Sequence, residues 1–167
     1  MDDGCDACGF GYDMDAPIDD CWRGIEAGAA AAAELIANAA DPAVRHDPDE
    51  WSAIEYASHL RDVLFVQRER VLHALREDGP LVVPMGRDVR VEQEGYAAQD
   101  PADVAVQLTH AAKLFANVLA RLEPAAWQRT LLYNFPEPEQ RPIHWLAVHT
   151  QHEVVHHLND VRRQLSA

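Results

Sequence analysis

The sequence has 167 residues and a formal net charge of −14, from 28 acidic and 14 basic side chains. So acidic a chain lacks the basic surface that nucleic acids or anionic membranes require, and we expect neither as a partner. Apolar residues make up 48% of the sequence, which is enough for one domain with a real core. Because no apolar run could span a bilayer and no signal-like start is present, we predict a cytoplasmic protein.

Four stretches carry apolar residues at helical spacing, and they predict an all-α fold. A capping box at Ser52 and Glu55 opens the second helix, and Asp100 followed by proline opens the third. Four helices of about 20 residues favour a four-helix bundle over residues 18–167, preceded by an extension at 1–17. The predicted helices span 19–38, 52–77, 101–123 and 142–165.

Two connections between these helices are unusually long, and neither contains a convincing strand. Residues 79–99 have one short apolar patch, and a loop of this length in a compact domain often lies over a functional site. Residues 124–141 are predicted to hold one helical turn, 124–127, followed by a proline-rich loop.

The last predicted helix contains five of the nine histidines. The pairs Glu153/His157 and His152/His156 are each spaced by four residues, so each pair shares one helix face. His157 lies about 70° and Glu153 about 105° from the direction of the apolar face, whereas His152 and His156 lie about 150° or more away. The first pair is therefore predicted to face the bundle interior, and the second pair to face outward.

A metal site in a bundle takes its ligands from facing helices, and His59 on the second helix is the candidate third ligand. Three protein ligands plus an open position are typical of a catalytic site. Two imidazoles and a carboxylate leave a divalent ion with a net positive charge, which favours hydroxide or thiolate as the fourth ligand. Zinc, nickel or iron would accept these donors, so the sequence does not identify the metal. A competing ligand set, made of His59, His152 and His156, is also compatible with the sequence.

Trp51-Ser52, followed by His59-Leu60 and later by Glu153-Val-Val-His-His157, resembles the DinB-like superfamily. This group includes thiol-dependent transferases and mycothiol-dependent maleylpyruvate isomerases. The resemblance covers the second to fourth helices and implies an up-down-down-up bundle that is often dimeric. It also implies a divalent metal at His59, Glu153 and His157. A glutamate at position 153 matches the isomerase branch, because the bacillithiol-type branch has histidine there.

The implied activity is that of a metal-dependent transferase or isomerase, which uses a low-molecular-weight thiol such as mycothiol and acts on an electrophilic substrate. Two alternatives stay open: a metal-dependent hydrolase that needs no thiol, and a non-catalytic metal-binding stress-response module. The arginines available for a thiol carboxylate are Arg61, Arg87, Arg90 and Arg141.

Several neighbours of the three ligands have a predicted role. His149 and Asp160 are candidates to hydrogen-bond the ligand pair on the last helix. Asp62 either orients a ligand or pairs with an arginine, and Tyr96 is a candidate for the mouth of the site.

The extension contains Cys5-Asp-Ala-Cys8-Gly9, which is typical of half a zinc knuckle, with two thiols on a tight turn. We hypothesise that His152 and His156 complete a second, structural zinc site that pins the extension onto the last helix. Cys21 is an alternative third ligand, and the alternative without metal is two free thiols in a loose tail. Three cysteines do not make a disulfide framework and suit a reducing compartment or a metal.

Overall fold

The computed structural model describes residues 4–134 and 137–167, so residues 1–3 of the predicted extension and 135–136 of the predicted loop lie outside the described residues. None of the helices in these ranges is long and apolar enough to cross a membrane. The helices are α1 (Ile18–Asn38), α2 (Ala53–Arg76), α3 (Arg87–Gln93), α4 (Pro101–Leu119) and α5 (Ile143–Leu165), and the strands are β1 (Thr130–Asn134) and β2 (Pro138–Pro142).

The four long helices α1, α2, α4 and α5 form the predicted bundle. α1 and α2 each pack against both α4 and α5, so they occupy opposite corners. Gly24 of α1 faces Gln151 and Gly28 faces Val154, which shows that α1 and α5 run parallel.

The directions of α2 and α4 follow from contacts near their ends. Glu50, just before α2, accepts a hydrogen bond from Gln164 at the end of α5 (2.7 Å), so these two helices are antiparallel. Arg61, near the start of α2, donates to Gln99 and Gln107, which lie before and early in α4 (both 2.7 Å), so α2 and α4 run parallel. The bundle is therefore up-down-down-up, as predicted.

The helix starts have the predicted local chemistry. The Ser52 backbone N–H donates to Glu55 Oε2 (2.7 Å), which completes the capping box of α2. The Asp100 carboxylate accepts hydrogen bonds from two backbone N–H groups in the first turn of α4.

α1 buries one apolar face in the core and approaches α5 closely at Gly28. Ile25, Ala29, Ala32 and Ile36 recur at helical spacing and are fully buried. A Cβ atom at Gly28 would overlap the Val154 side chain, so the absence of a side chain there allows the contact.

Gly28→Ala is therefore expected to destabilise the protein by about 1–3 kcal/mol, because overpacking outweighs the gain of up to about 1 kcal/mol in helix propensity. Gly24→Ala is the matched control, since its Cβ meets only the end of the Gln151 side chain, which can move aside. Urea unfolding measures both variants, and an equal effect at the two positions would contradict this account.

The prediction that no strand lies in the connection at 124–141 is wrong, whereas the connection at 79–99 holds only an isolated bridge at Leu81. β1 and β2 form an antiparallel hairpin in which Leu131 pairs with Arg141 and Tyr133 with Glu139. β1 alternates buried and half-buried residues, but β2 is mostly exposed and has proline at both ends, so it gives no strand signal. The predicted turn at 124–127 is present as a short 3-10 helix, Pro124–Gln128.

The connection at 79–99 is also more ordered than a loop. It contains α3 and a 3-10 turn, Tyr96–Ala98, and its backbone pairs with β1 where the Val82 N–H donates to the Leu132 carbonyl (3.2 Å). The connection thereby joins the hairpin beside α2 and α5.

The N-terminal segment, residues 4–17, runs along the outer face of α5 in the opposite direction. Cys5 lies beside His156, whereas Tyr12 lies beside His149 and stacks near Trp145 (6.4 Å between ring centroids). This segment covers the face of α5 that carries His152.

Candidate metal centre

α2 and α5 bring the donor atoms of His59, Glu153 and His157 to within 4.8 Å of one another. His157 Nε2 lies 3.6 Å from Glu153 Oε2, and the His59 and His157 rings are 4.9 Å apart and nearly perpendicular. Two atoms bonded to one tetrahedral ion at about 2.1 Å would lie about 3.4 Å apart. The spacing therefore suits a shared ion after only small side-chain movement.

The burial of these residues also fits a metal. His59 and His157 are buried and Glu153 is half-buried. The buried Nδ1 atom of His59 has no hydrogen-bond partner among the described residues, and leaving such an atom unsatisfied costs about 1–3 kcal/mol. A buried imidazole whose nitrogen lacks a hydrogen-bond partner is well suited to bind a metal ion.

Asp160 fixes the orientation of His157. Its Oδ2 atom lies 2.9 Å from His157 Nδ1, which leaves Nε2 directed toward Glu153. Arg163 donates to the other oxygen of Asp160 (2.9 Å) and holds the carboxylate in place. Histidine ligands of metals ordinarily have such a carboxylate on their second nitrogen, which is the role predicted for Asp160.

The three donors have strongly shifted pKa values. Burial, aided by the neighbouring His157, lowers the pKa of His59 to about 3, so this imidazole is neutral. Burial alone would lower the pKa of His157, but hydrogen bonds with Asp160 and Glu153 outweigh it and raise the pKa to about 9. Burial would raise the pKa of Glu153, yet the contact with His157 outweighs it and lowers the pKa to about 2. Without metal, Glu153 and His157 therefore form an ion pair.

The donors open into a cavity of about 460 Å³ between α2, α5, the hairpin and the connection that precedes α3. This volume is within the range of small-molecule sites, about 300–1,000 Å³. Arg70, Arg87 and Tyr133 are among its other lining residues. A larger hollow of about 780 Å³ lies near the ends of α1 and α5, but no convergent donor group lines it within residues 4–134 and 137–167.

An aromatic cluster surrounds His149, which lies one helical turn before Glu153. Its ring stacks on Trp145 (4.7 Å between centroids), its Nδ1 lies 2.8 Å from the Tyr12 hydroxyl, and its Nε2 lies 3.8 Å from Glu153 Oε1. The Tyr133 ring packs edge-on against it. Sequence reasoning missed Tyr12 and Tyr133, because one comes from the N-terminal segment and the other from the unforeseen hairpin.

Asp62 does not hydrogen-bond to a candidate ligand. It accepts from Arg61 (2.8 Å) and from the Tyr96 hydroxyl (2.5 Å), and these bonds outweigh burial and lower its pKa. Tyr96 is fully buried, so the prediction that it lies at the mouth of the site is wrong. Of the four arginines considered for a thiol carboxylate, only Arg87 lines the cavity, and Arg70 was missed.

The competing set of His59, His152 and His156 does not converge within the described ranges. Instead, His152 and His156 group with Cys5 and Cys8. Two overlapping groups, His149/His152/Glu153 and His156/His157/Asp160, also have donor atoms within 4.8 Å of one another.

Comparison with solved structures supports the fold. The chain is similar to YfiT from Bacillus subtilis, described as "a probable metal-dependent hydrolase with an unusual four-helix bundle topology", with a TM-score of 0.76 and 16% identity over 89% of this chain and 87% of that one. It is also similar to a mycothiol-dependent maleylpyruvate isomerase, with a TM-score of 0.71 and 14% identity over 88% of this chain but only 61% of that longer one.

Comparison with sequences is more decisive for the family. No curated protein sequence matches the chain significantly. The family model of the DinB superfamily, however, matches residues 25–161. This range contains α2, α3 and α4 entirely, most of α1 and α5, and all three candidate ligands. The chain therefore belongs to the DinB superfamily.

Proposed function

We propose that the protein is a metal-dependent enzyme that activates a low-molecular-weight thiol of the mycothiol type in a transfer or isomerisation reaction. The observation that supports this most is the convergence of His59, Glu153 and His157 beside a cavity large enough for a small molecule. Zinc, nickel and iron all suit two imidazoles and a carboxylate.

The donor residues prepare the site for this chemistry. A divalent ion bound there would supply Lewis-acid chemistry, lowering the pKa of a thiol or water in the cavity. His59 is already neutral, and Asp160 holds His157 with Nε2 toward the centre. Glu153 supplies one negative charge, so the donor set does not neutralise a dication and favours an anionic further ligand.

The cavity also suits an anionic substrate. Arg70 is anchored by a hydrogen bond to the Val83 carbonyl (2.8 Å) and lies over the Tyr133 ring. Arg87 lies over the Trp51 ring at another side of the cavity. Guanidinium groups held in this way can bind carboxylates of a thiol or of an electrophile.

Hydrolysis without a thiol is the second candidate, because the likeness to YfiT covers a larger share of both chains than the likeness to the isomerase. In that case water would take the place of the thiol. A non-catalytic metal-binding module is the third candidate function, and a metal centre without an exchangeable coordination position would favour it.

The homodimer implied by the resemblance remains a prediction that analytical ultracentrifugation tests.

The activity test uses metal-loaded full-length protein with mycothiol, bacillithiol or glutathione and an electrophile such as maleylpyruvate or monobromobimane. We expect metal-dependent acceleration of thiol consumption or of maleylpyruvate isomerisation, and a loss of about 100-fold or more in Glu153→Gln, which loses an anionic ligand. Turnover of an ester or amide without thiol would favour the hydrolase, and no turnover in either assay would contradict an enzyme of this kind.

A further inference from the structure

A second group of donor atoms lies along α5 beside the candidate centre, and although two of its residues, His152 and His156, also line the cavity, the proposed reaction assigns the group no role. Donor atoms of Cys5, Cys8, His152 and His156 all lie within 4.8 Å of one another. Cys5 Sγ is 3.6 Å from His156 Nδ1. Sulfur and nitrogen atoms bonded to one tetrahedral zinc ion, at about 2.3 and 2.1 Å, would be separated by about 3.6 Å.

The backbone of the N-terminal segment brings the two thiols together. The Gly9 N–H donates to the Cys5 carbonyl (2.7 Å), and the Cys5 N–H donates to the Phe10 carbonyl (2.9 Å), so the chain closes into a tight loop. Gly9 has a φ of +72°, a conformation that glycine adopts without the cost paid by other residues. These main-chain bonds hold Cys5 and Cys8 on one tight loop, and Cys5 Sγ lies beside His156 of α5.

Each histidine of the group has an oxygen near its other ring nitrogen. His156 presents Nδ1 to Cys5, while its Nε2 lies 3.7 Å from Asp160 Oδ2. His152 Nδ1 lies 3.0 Å from the Tyr12 hydroxyl, and we assign its Nε2 as the ligand atom. A hydrogen-bonding oxygen such as the Tyr12 hydroxyl can orient a histidine ligand of zinc, whereas the 3.7 Å between His156 and Asp160 is a charge contact and not a hydrogen bond.

We propose that Cys5, Cys8, His152 and His156 bind a structural zinc ion that fastens the N-terminal segment to α5. Two thiolates and two imidazoles suit zinc, and four protein ligands leave no position for a substrate. The two thiolates balance the charge of the ion, so the site is neutral overall. The competing group His149/His152/Glu153 offers no sulfur, and the Tyr12 hydroxyl already lies between the Nδ1 atoms of its histidines.

The first test measures metal content and cobalt spectra of the full chain. We expect Cys5→Ser/Cys8→Ser to lose about one equivalent of zinc per chain, and Cys21→Ala, which alters a buried cysteine of α1, to lose none. In cobalt-substituted wild-type protein, thiolate-to-cobalt charge transfer and intense tetrahedral bands should appear, and should persist in His59→Ala. Unchanged zinc content in the double variant would overturn the proposal.

The second test needs no variant, so it holds even if the double substitution prevents folding. With zinc bound, Cys5 and Cys8 should react slowly with a thiol reagent, and removal of zinc by a chelator should accelerate their reaction by about 10-fold or more. Two thiols that react equally fast with and without zinc, or a cobalt spectrum without thiolate charge transfer, would overturn it. Neither result depends on whether the His59 centre is catalytic.

Discussion

His157→Ala should remove the metal from the His59/Glu153/His157 centre and reduce metal-dependent activity by at least about 100-fold, the upper end of the loss seen when a ligand's hydrogen-bond partner is removed. The His157 ring lies 4.9 Å from the His59 ring and its Nε2 lies 3.6 Å from Glu153 Oε2, so its removal takes away the nitrogen donor between the other two candidate ligands. Elemental analysis gives the lost equivalent of metal, and thiol consumption gives the lost activity.

His110→Ala is the matched control, because it removes an exposed histidine from α4 at a distance from the centre. It should retain both metal and activity. Circular dichroism of each variant separates metal loss from unfolding. If folded His157→Ala keeps its full metal content, the ligand assignment is wrong.

The zinc affinity of the same centre should rise about 10-fold per pH unit from pH 7 to about 9, and then level off. The pKa of His157 is raised to about 9, so zinc must displace a proton from it below that pH. Glu153, with a pKa of about 2, and His59, with a pKa of about 3, hold no proton in this range and do not compete. Competition titrations against a chromophoric chelator at several pH values measure the slope.

Asp160→Asn should flatten this slope and weaken binding at pH 9 by about 10–100-fold, because the carboxylate both raises the pKa of His157 and orients its ring.

The stability of the metal-free wild-type protein should instead fall as the pH rises. A raised histidine pKa stabilises the fold below its ordinary value of 6.5, and this stability is lost as pH rises through about 9. The loss is at most about 3.5 kcal/mol, because the pKa rises from 6.5 to about 9 and each pKa unit corresponds to about 1.4 kcal/mol. Urea unfolding that is independent of pH from 6.5 to 9.5 would contradict this.

The helices and their start sites were accessible from the sequence because they rest on local signals. Ser52 with Glu55 and the Asp100–Pro101 pair are read within a few residues, and the apolar spacing identifies the inner face of α5. The turn angle predicted His157 inward, and the structure buries it. Metal binding by His157 stays a prediction.

The parts that could not be predicted depend on distant residues. β2 pairs with β1 through backbone bonds although its own residues are polar and include prolines. Tyr96 reaches Asp62 across 34 positions, and Tyr12 reaches His149 across 137. No spacing within either segment encodes such contacts, so the aromatic surroundings of the donors became visible only in the folded chain.

The close approach at Gly28 also sets how far α5 can turn about its own axis. Val154, which fills the space beside Gly28, directly follows Glu153 in the sequence. A rotation of α5 by only about 20° would sweep a donor atom about 6 Å from the axis through about 2 Å, as long as a metal–ligand bond. The packing of Val154 against Gly28 therefore limits the rotation of α5. A methyl group at position 28, outside the site, should shift Glu153 and weaken metal binding.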